Sequence, residues 1–396
     1  MNSVKRHIRW LFGGMLMLLL MLTSCASGNT EEIEVRYEKP VLKIYLFAPD
    51  SPIVTRADIG DVEAAAAEKA IKTIDVWVFE HDNPEKRVSY VHLDNITFDG
   101  QKEIVMELTD DFANLAKKPD VDIYVAANAS NLGLTLNKTT TIEELKAACI
   151  GTAYFGVYPN DPTKLVKTVP DGGLPMSGML EKQVVGGIPP VYTAKNKNVQ
   201  LVRAVSKIRF ILSKSSSNAP TISNLSIKLD ADMIPNKEFL FLEGDYPDYR
   251  SNVNTTEGYE SEATIVTGIS SDDINSCNDP AIYAYTSETG QAYETKIDNG
   301  LKDPEGEQKP DLTQVGLFYF RESDKQLKGS ISYKLGTGEN DPVKNVEFKM
   351  SGAGDFTRNH TWIVYGYFLG SGDLKLNVVD VKEWTTGGGN SDLYNW

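Results

Sequence analysis

The sequence predicts an all-β protein made of two β-sandwich domains with a few short helices. Segments rich in valine, isoleucine, tyrosine and phenylalanine recur along the chain, and glycine, proline, asparagine and aspartate separate them. The chain has 396 residues, of which 41% are hydrophobic, so it can build two separate cores. No repeat of roughly 20–50 residues is visible, which argues against a solenoid.

The N-terminus has the pattern of a bacterial export signal. Basic residues within positions 5–9 precede an uncharged run over residues 10–22, which is too short to span a bilayer comfortably. The run ends in Leu-Thr-Ser-Cys at 22–25, which resembles a bacterial lipobox. We therefore expect Cys25 to be lipidated and to become the first mature residue. A secreted protein with a chance cysteine at this boundary is the alternative.

A strongly apolar strand is predicted over residues 41–48. Successive side chains of a strand point to opposite faces, so both faces of this strand are apolar and Lys43 is the single charged interruption. The first face carries Leu42, Ile44 and Leu46, and the second carries Val41, Tyr45 and Phe47. Because both faces are apolar, we expect this strand to be buried.

The next residues predict an exposed loop, since prolines at 49 and 52 cannot donate to a sheet. This loop, residues 49–60, includes Arg56 and Ala57. In the first half we then predict a helix over 62–70, strands over 71–80, 104–108 and 121–127, and a helix over 141–148 with a Thr141–Glu144 capping box. After a change of composition near residue 198, we predict strands over 199–212, 222–229, 238–242, 281–285, 314–321, 329–335, 346–350, 361–369 and 374–384.

Charge and cysteine content exclude several classes of function. The net charge of −15 and the absence of a basic stripe argue against nucleic-acid binding. No second long apolar run follows the signal, so no transmembrane helix is expected in the mature chain. Cys149 and Cys277 are far apart and predict two buried or half-buried thiols, not a disulfide framework.

No catalytic or metal-binding pattern is evident, so we expect neither an enzyme nor a cofactor. The histidines are few and scattered, and no Cys-x-x-Cys or His-based metal spacing occurs. A turn is expected at residues 175–178 in place of a serine nucleophile. The acidic residues within 270–279 lack the features of an EF-hand, so a solvated loop is favoured over a calcium site.

An ordered set of short motifs resembles the FimA-like fimbrilins of Bacteroidales, the subunits of lipoprotein-derived (type V) pili. The resemblance covers nearly the whole chain. The motifs are the lipobox at Cys25, the apolar strand, Thr55-Arg56-Ala57, Glu68 followed by residues 76–79, Ala127-Asn128-Ala129, residues 174–178, residues 202–208, Arg358-Asn359-His360, residues 381–384, and the final Trp396.

This resemblance implies two β-sandwich domains of transthyretin-like, Greek-key topology. It also implies an assembly route. A surface arginine-specific protease would cut between Arg56 and Ala57, which removes the acyl (palmitate) anchor and the apolar capping strand together. The C-terminal segment of a neighbouring subunit would then fill the groove. The implied divisions are a signal peptide (1–24), a lipidated propeptide with the capping strand (25–56), two β-sandwich domains (57–198 and 199–384) and a donor-strand tail (385–396). The donor side chains are expected to be Leu393, Tyr394 and Trp396, although a strand packed on its own domain is the alternative.

The expected partners are other copies of this chain or related fimbrial subunits, the processing protease, and the outer membrane before processing. The expected product is an extracellular fimbrium, in stalk or tip position, that supports adhesion and biofilm formation. Two other hypotheses stay open at this point. One is an uncut anchor subunit that keeps its lipid, and the other is a surface lipoprotein that binds glycans on aromatic side chains.

Overall fold

The computed structural model describes residues 37–48, 66–98, 100–151, 154, 165–216, 221–243, 253–285, 290–302, 310–350 and 356–381. The described residues from Lys39 onward belong to one compact unit. All the strands described below lie in Lys39–Trp396. The predicted all-β class is confirmed, since strands predominate and helices are few.

The first ten strands build one sandwich, whose two sheets contain all of them except the two-residue sixth strand. They are β1 (Val41–Phe47), β2 (Thr73–Glu80), β3 (Asn83–Asp94), β4 (Gln101–Glu107), β5 (Val121–Ala127), β6 (Cys149–Ile150), β7 (Met176–Gln183), β8 (Val185–Ile188), β9 (Val191–Gln200) and β10 (Val202–Arg203). One sheet has the order β4-β1-β9-β8, and the facing sheet has the order β10-β7-β5-β2-β3. Side chains of both sheets share a single hydrophobic cluster, as expected for a sandwich.

The remaining strands build a second sandwich, apart from one two-residue strand that pairs outside its two sheets. They are β11 (Ser206–Ser215), β12 (Ile222–Leu229), β13 (Glu238–Phe239), β14 (Ala263–Ile269), β15 (Ser276–Cys277), β16 (Thr313–Phe320), β17 (Lys328–Leu335), β18 (Val343–Lys349), β19 (Thr361–Phe368) and β20 (Leu374–Val381). One sheet has the order β15-β11-β19-β20, with β16 also paired to β11. The other sheet has the order β14-β12-β17-β18, and β13 pairs with β6. A second hydrophobic cluster joins these two larger sheets.

Strand β2 shows how the sequence builds two layers of core. Ile74, Val76 and Val78 face the interior of the first sandwich. Trp77 and Phe79, on the opposite face, belong to another buried cluster that includes Leu240, Phe241 and Tyr319. Because both faces of β2 are covered, its run of large apolar residues needs no polar alternation.

The described helices are short, apart from one. They are α1 (Ala66–Lys69), α2 (Asp110–Ala113), α3 (Ile142–Ala147) and α4 (Gly290–Leu301). The predicted capping box is confirmed: Thr141 Oγ1 accepts from the Glu144 amide at 3.2 Å, and Glu144 Oε2 accepts from the Thr141 amide at 2.9 Å. Within the described residues, no helix combines the length and apolar character that crossing a membrane requires.

Three local predictions are wrong. Residues 281–285 are not a strand: Pro280–Ile282 is a 3-10 turn, because Asp279 caps the Ala281 amide and Pro280 starts the turn. The turn expected at 175–178 is the start of β7. The strand expected over 199–212 is three strands, broken at Leu201 and at Ala204–Val205. The division into domains at residue 198 and the transthyretin-like Greek-key topology stay predictions.

Candidate functional site

Strand β1 lies between two strands that come from much later in the chain. It pairs antiparallel with β4, with Ile44 opposite Ile104, and parallel with β9, with Leu42 opposite Tyr192. It is therefore an inner strand of its sheet. Without β1, β4 and β9 would face each other across a gap of one strand, or about 10 Å.

The inward face of β1 is completely buried, as the sequence predicted. Leu42, Ile44 and Leu46 are each 0% exposed and belong to the hydrophobic cluster of the first sandwich. At about 1.5–3 kcal/mol for each large aliphatic side chain, these three contribute roughly 5–9 kcal/mol to holding the strand. Val41 and Phe47 are also buried on the other face, at 3% and 7% exposure.

Hydrogen bonds fix both ends of β1. At its start, the Val41 amide donates to the Pro190 carbonyl at 2.8 Å, and the Leu108 amide donates to the Pro40 carbonyl at 2.9 Å. At its end, the Leu201 amide donates to the Phe47 carbonyl at 2.9 Å. Ala48 is bound twice, through its amide to Gly100 and through its carbonyl to Gln200 Nε2.

The outward face of β1 carries two electrostatic contacts. Lys43 Nζ lies 2.8 Å from Glu103 Oε1 on β4. Lys197 Nζ on β9 lies 4.9 Å from the centre of the Tyr45 ring, within the range of a cation–π interaction. The groove that holds β1 therefore has an acidic group beside one outward position and a basic group beside another.

A second site lies just beyond Arg56 in the sequence, at the buried carboxylate of Glu68 in α1. Glu68 accepts a hydrogen bond from the Tyr319 hydroxyl at 2.6 Å, and Lys207 Nζ lies 3.3 Å from both of its oxygens. The Arg203 guanidinium donates to the Glu68 carbonyl at 3.0 Å and to Asn359 Oδ1 at 3.1 Å. We call Glu68, Arg203, Lys207, Tyr319 and Asn359 the buried clamp.

The buried clamp joins the two sandwiches. Glu68 leads into β2 of the first sandwich, whereas Lys207 and Tyr319 lie on β11 and β16 of the second. Burial alone would raise the pKa of Glu68, but Lys207, the Tyr319 hydrogen bond and Arg203 outweigh that effect and lower it. The carboxylate is therefore held in its charged form.

Asn128 holds the segment that follows Glu68. It is 0% exposed and its backbone is left-handed, with φ of 56°. Its side-chain oxygen accepts from the Lys72 amide at 2.8 Å, and its side-chain nitrogen donates to the Ala70 carbonyl at 2.8 Å and the Leu174 carbonyl at 2.9 Å. Asn128 thus satisfies backbone groups that the sheet does not pair at the entrance to β2.

A further buried ion pair lies next to the clamp. Arg358 donates to Glu322 Oε1 at 2.9 and 2.7 Å, and both side chains are 0% exposed. Arg358 also donates to the carbonyls of Phe239 and Leu240. Ser177 donates to the same Leu240 carbonyl at 2.6 Å.

Several of the motifs that carried the family resemblance contribute residues to the buried clamp, to the Asn128 contacts or to the Arg358 ion pair. Glu68, Asn128, Arg203 and Arg358 were noted from the sequence, but no role in holding the chain was inferred for them. For Arg203, its position between apolar residues was the available signal, because a buried charge requires a partner. Which partner each residue finds depends on the long-range topology.

Several predicted site residues lie outside the described residues. These are Cys25, Arg56, Ala57, Leu393, Tyr394 and Trp396. The prediction for the thiols is confirmed: Cys149 is half-buried and Cys277 buried, and both are free. Burial raises the pKa of both thiols, to about 11 for Cys277.

The described residues contain no group of three or more histidine, cysteine, aspartate or glutamate side chains that could hold a metal ion. The two tryptophans among the described residues, Trp77 and Trp362, are 0% and 1% exposed. Neither can therefore serve as a surface platform for a sugar ring.

No protein-family model and no curated protein matches the sequence. Several solved structures, in contrast, match the chain. A candidate cell-adhesion protein of Parabacteroides distasonis is 13% identical with a TM-score of 0.50, covering 87% of this chain and 97% of that chain. The tip fimbrial protein Mfa3 of Porphyromonas gingivalis is 15% identical, with a TM-score of 0.45 over 86% of this chain and 99% of that chain.

A fimbrilin of Porphyromonas gingivalis is 11% identical, with a TM-score of 0.43 over 88% of this chain and 97% of that chain. At these identities the Parabacteroides match shows the fold alone. The chain therefore shares the fold of the Parabacteroides protein. The solved structures that it matches are fimbrial and cell-adhesion proteins of Bacteroidales, as the resemblance to the FimA-like fimbrilins predicts.

Proposed function

We propose that this chain is a structural, non-enzymatic subunit of a cell-surface fimbrium that supports adhesion and biofilm formation. It is exported, lipidated at Cys25, held at the outer membrane, and opened by a cut between Arg56 and Ala57. The groove left by β1 then receives a strand from a neighbouring subunit, and residues 391–396 act as a donor in turn. The observation that carries this proposal is the position of β1 as an inner strand, upstream of Arg56.

Because of the order of the strands along the chain, a single cut after Arg56 is sufficient to separate β1 covalently from its neighbours. β1 precedes Arg56 and its neighbours β4 and β9 follow it, so after the cut only non-covalent contacts hold β1. A strand from another chain can supply the same contacts, which is strand addition at an open sheet edge. The acyl anchor is removed by the same cut, although it would not leave a membrane readily by itself.

The distribution of arginines favours Arg56 as the target. Arg203, Arg209, Arg321 and Arg358 are all buried. Arg87 lies within β3. Among the arginines outside the signal peptide this leaves Arg36, Arg56 and Arg250, all beyond the described residues. A cut at Arg36 would free the lipid but leave β1 in place, whereas a cut at Arg56 removes both.

Limited digestion of the lipid-free precursor with an arginine-specific protease tests the proposal. We expect a new N-terminus at Ala57, followed by capture of a fluorescent peptide of residues 39–48 once the released strand has been removed in mild urea. The matched control is Arg56→Gln, which should keep β1 and capture no peptide. Arg36→Gln should behave like the unmodified chain.

Two results would contradict the proposal. One is a folded precursor that resists cutting at Arg56, both in vitro and on cells, which would favour a lipid-retaining anchor subunit. The other is a chain cut before Ala57 that does not bind the peptide, which would rule out an open groove. Binding of a glycan by the intact precursor would support the glycan-binding hypothesis instead.

A further inference from the structure

The groove around β1 specifies what can replace it. Its inward positions, occupied by Leu42, Ile44 and Leu46, are completely closed to solvent. A polar side chain at any of them would be buried without water, which is costly unless it finds a hydrogen-bond partner. The groove therefore selects a strand with three apolar side chains at alternate positions.

The rims of the groove add a charge requirement. An incoming residue at the position of Lys43 would lie beside Glu103, and a residue at the position of Tyr45 would lie beside Lys197. An acidic residue next to Glu103 would be repelled, while a basic or neutral residue would not. An aromatic residue next to Lys197 would retain the cation–π contact.

Residues 391–396 of this chain satisfy only two of these five requirements. In the register that places Tyr394 at the position of Tyr45, Leu393 replaces Ile44 and Trp396 replaces Phe47. The other three positions are mismatched: Ser391 replaces Leu42, Asp392 replaces Lys43, and Asn395 replaces Leu46. Two of the three closed positions thus receive polar side chains, and the acid lies beside Glu103.

Other alignments do not remove the mismatch. Reversing the strand direction about Leu393 sends the same serine and asparagine into the closed positions. Shifting by one residue sends Asp392 inward with Tyr394 and Trp396. No three alternate positions within 382–396 are all apolar, so no register of this segment supplies the three side chains that the closed positions require.

We propose that the groove of this subunit is filled by a strand from a different fimbrial subunit and not by residues 391–396 of a second copy. The partner strand carries apolar side chains at three alternate positions, a basic or neutral residue facing Glu103, and an aromatic residue facing Lys197. This inference rests on the proposed function, since it requires β1 to leave.

Peptide binding to the cut precursor, after removal of the released strand, tests the selectivity. Three fluorescent peptides are compared by anisotropy: residues 39–48, residues 390–396, and residues 390–396 carrying Ser391→Leu, Asp392→Lys and Asn395→Leu. We expect the first and third to bind, and the unmodified 390–396 peptide to bind at least 100-fold more weakly than the first. A difference of tenfold or less would overturn the inference.

A variant of the rim tests the charge requirement. Glu103 is partly exposed, so Glu103→Gln is expected to fold. It should strengthen binding of the unmodified 390–396 peptide several-fold at low salt and weaken binding of the 39–48 peptide. No change in either peptide would show that the rim charge plays no part in selection. Failure of the 39–48 peptide to bind would instead overturn the proposed function, and this inference with it.

Discussion

The segments on the two sides of Arg56 are held by different kinds of interaction. β1, upstream, is held by three buried aliphatic side chains and by backbone hydrogen bonds to β4, β9 and the chain beside them. Residues 66–73, downstream, are held by the buried clamp and by Asn128. The first set of interactions is available to any strand of suitable pattern, whereas the second set depends on individual side chains.

The difference explains how one cut can release one segment and leave the other in place. Hydrophobic burial is non-directional, so an incoming strand can restore it. A buried carboxylate cannot lose its partners without a large penalty, so Glu68 resists displacement. β1, which leaves, can be replaced by another strand of suitable pattern. Residues 66–73, which stay, depend on particular side-chain partners. The following predictions, from the largest expected effect to the smallest, test that contrast.

Removing the carboxylate of the buried clamp is expected to have the largest effect. Glu68→Ala removes the carboxylate that lies 3.3 Å from the buried Lys207 Nζ and accepts from the Tyr319 hydroxyl, which should lower the free energy of unfolding by about 3–5 kcal/mol. Urea denaturation should show this loss in the precursor and equally in the cut form, because the clamp lies downstream of Arg56. A loss confined to the precursor would contradict the assignment.

Truncating β1 should affect the precursor alone. Ile44→Ala removes a fully buried aliphatic side chain and should cost the precursor roughly 2–4 kcal/mol. The cut form, freed of β1, should unfold as the unmodified cut form does. Lys39→Ala, at an exposed ion pair with Glu107 just before β1, is the matched control and should cost well below 1 kcal/mol.

Asn128 offers a test of the backbone anchor with a close internal control. Asn128→Ala leaves the Lys72 amide and two carbonyls without their side-chain partner, which should cost about 1–3 kcal/mol. Asn95 has a similar left-handed backbone, with φ of 50°, but is exposed. Asn95→Ala therefore reports the effect of backbone strain alone. An equal loss of unfolding free energy in both variants would show that the side-chain hydrogen bonds of Asn128 contribute little.

The smallest expected effect is a pH dependence specific to the clamp. The pKa of Glu68 is lowered in the folded state, so the unfolded state binds more protons below the ordinary value of 4.5. The stabilisation by its charge is present above that pH and lost as the pH falls through the folded pKa. Glu68→Gln should show a flatter fall of unfolding free energy below pH 4.5, and parallel curves would contradict this.

Some strands and their burial could be predicted from the sequence, whereas the pairing of distant strands could not. The burial of β1 followed from its two apolar faces, and the extents of β5 and of the strand over Ile222–Leu229 were predicted correctly. The neighbour β9 was missed because Val191–Gln200 is largely polar and half-exposed. A parallel partner some 150 residues away leaves no local pattern, since only the completed sheet brings the two strands together.

The buried clamp, and the ion pairs of Arg209 with α4, were equally inaccessible to local reasoning. Lys207 and Arg209 interrupt an apolar strand, which indicates partnered charges without naming the partners. Their acids come from α1 and α4, of which α4 was not predicted. Tyr319 and Asn359 complete the clamp from other parts of the chain. Such sites depend on tertiary assembly, and composition or spacing cannot locate them.

Hydrogen exchange on the cut precursor, with the released strand removed, tests the central claim most directly. The Leu108 and Leu201 amides donate to carbonyls of residues 40 and 47, so they should lose protection. The Lys72 amide, bound to Asn128 Oδ1, and the Asn128 amide, bound to the Thr73 carbonyl, should keep theirs. Equal loss at all four amides, or continued protection of Leu108 and Leu201, would contradict a replaceable strand beside a fixed anchor.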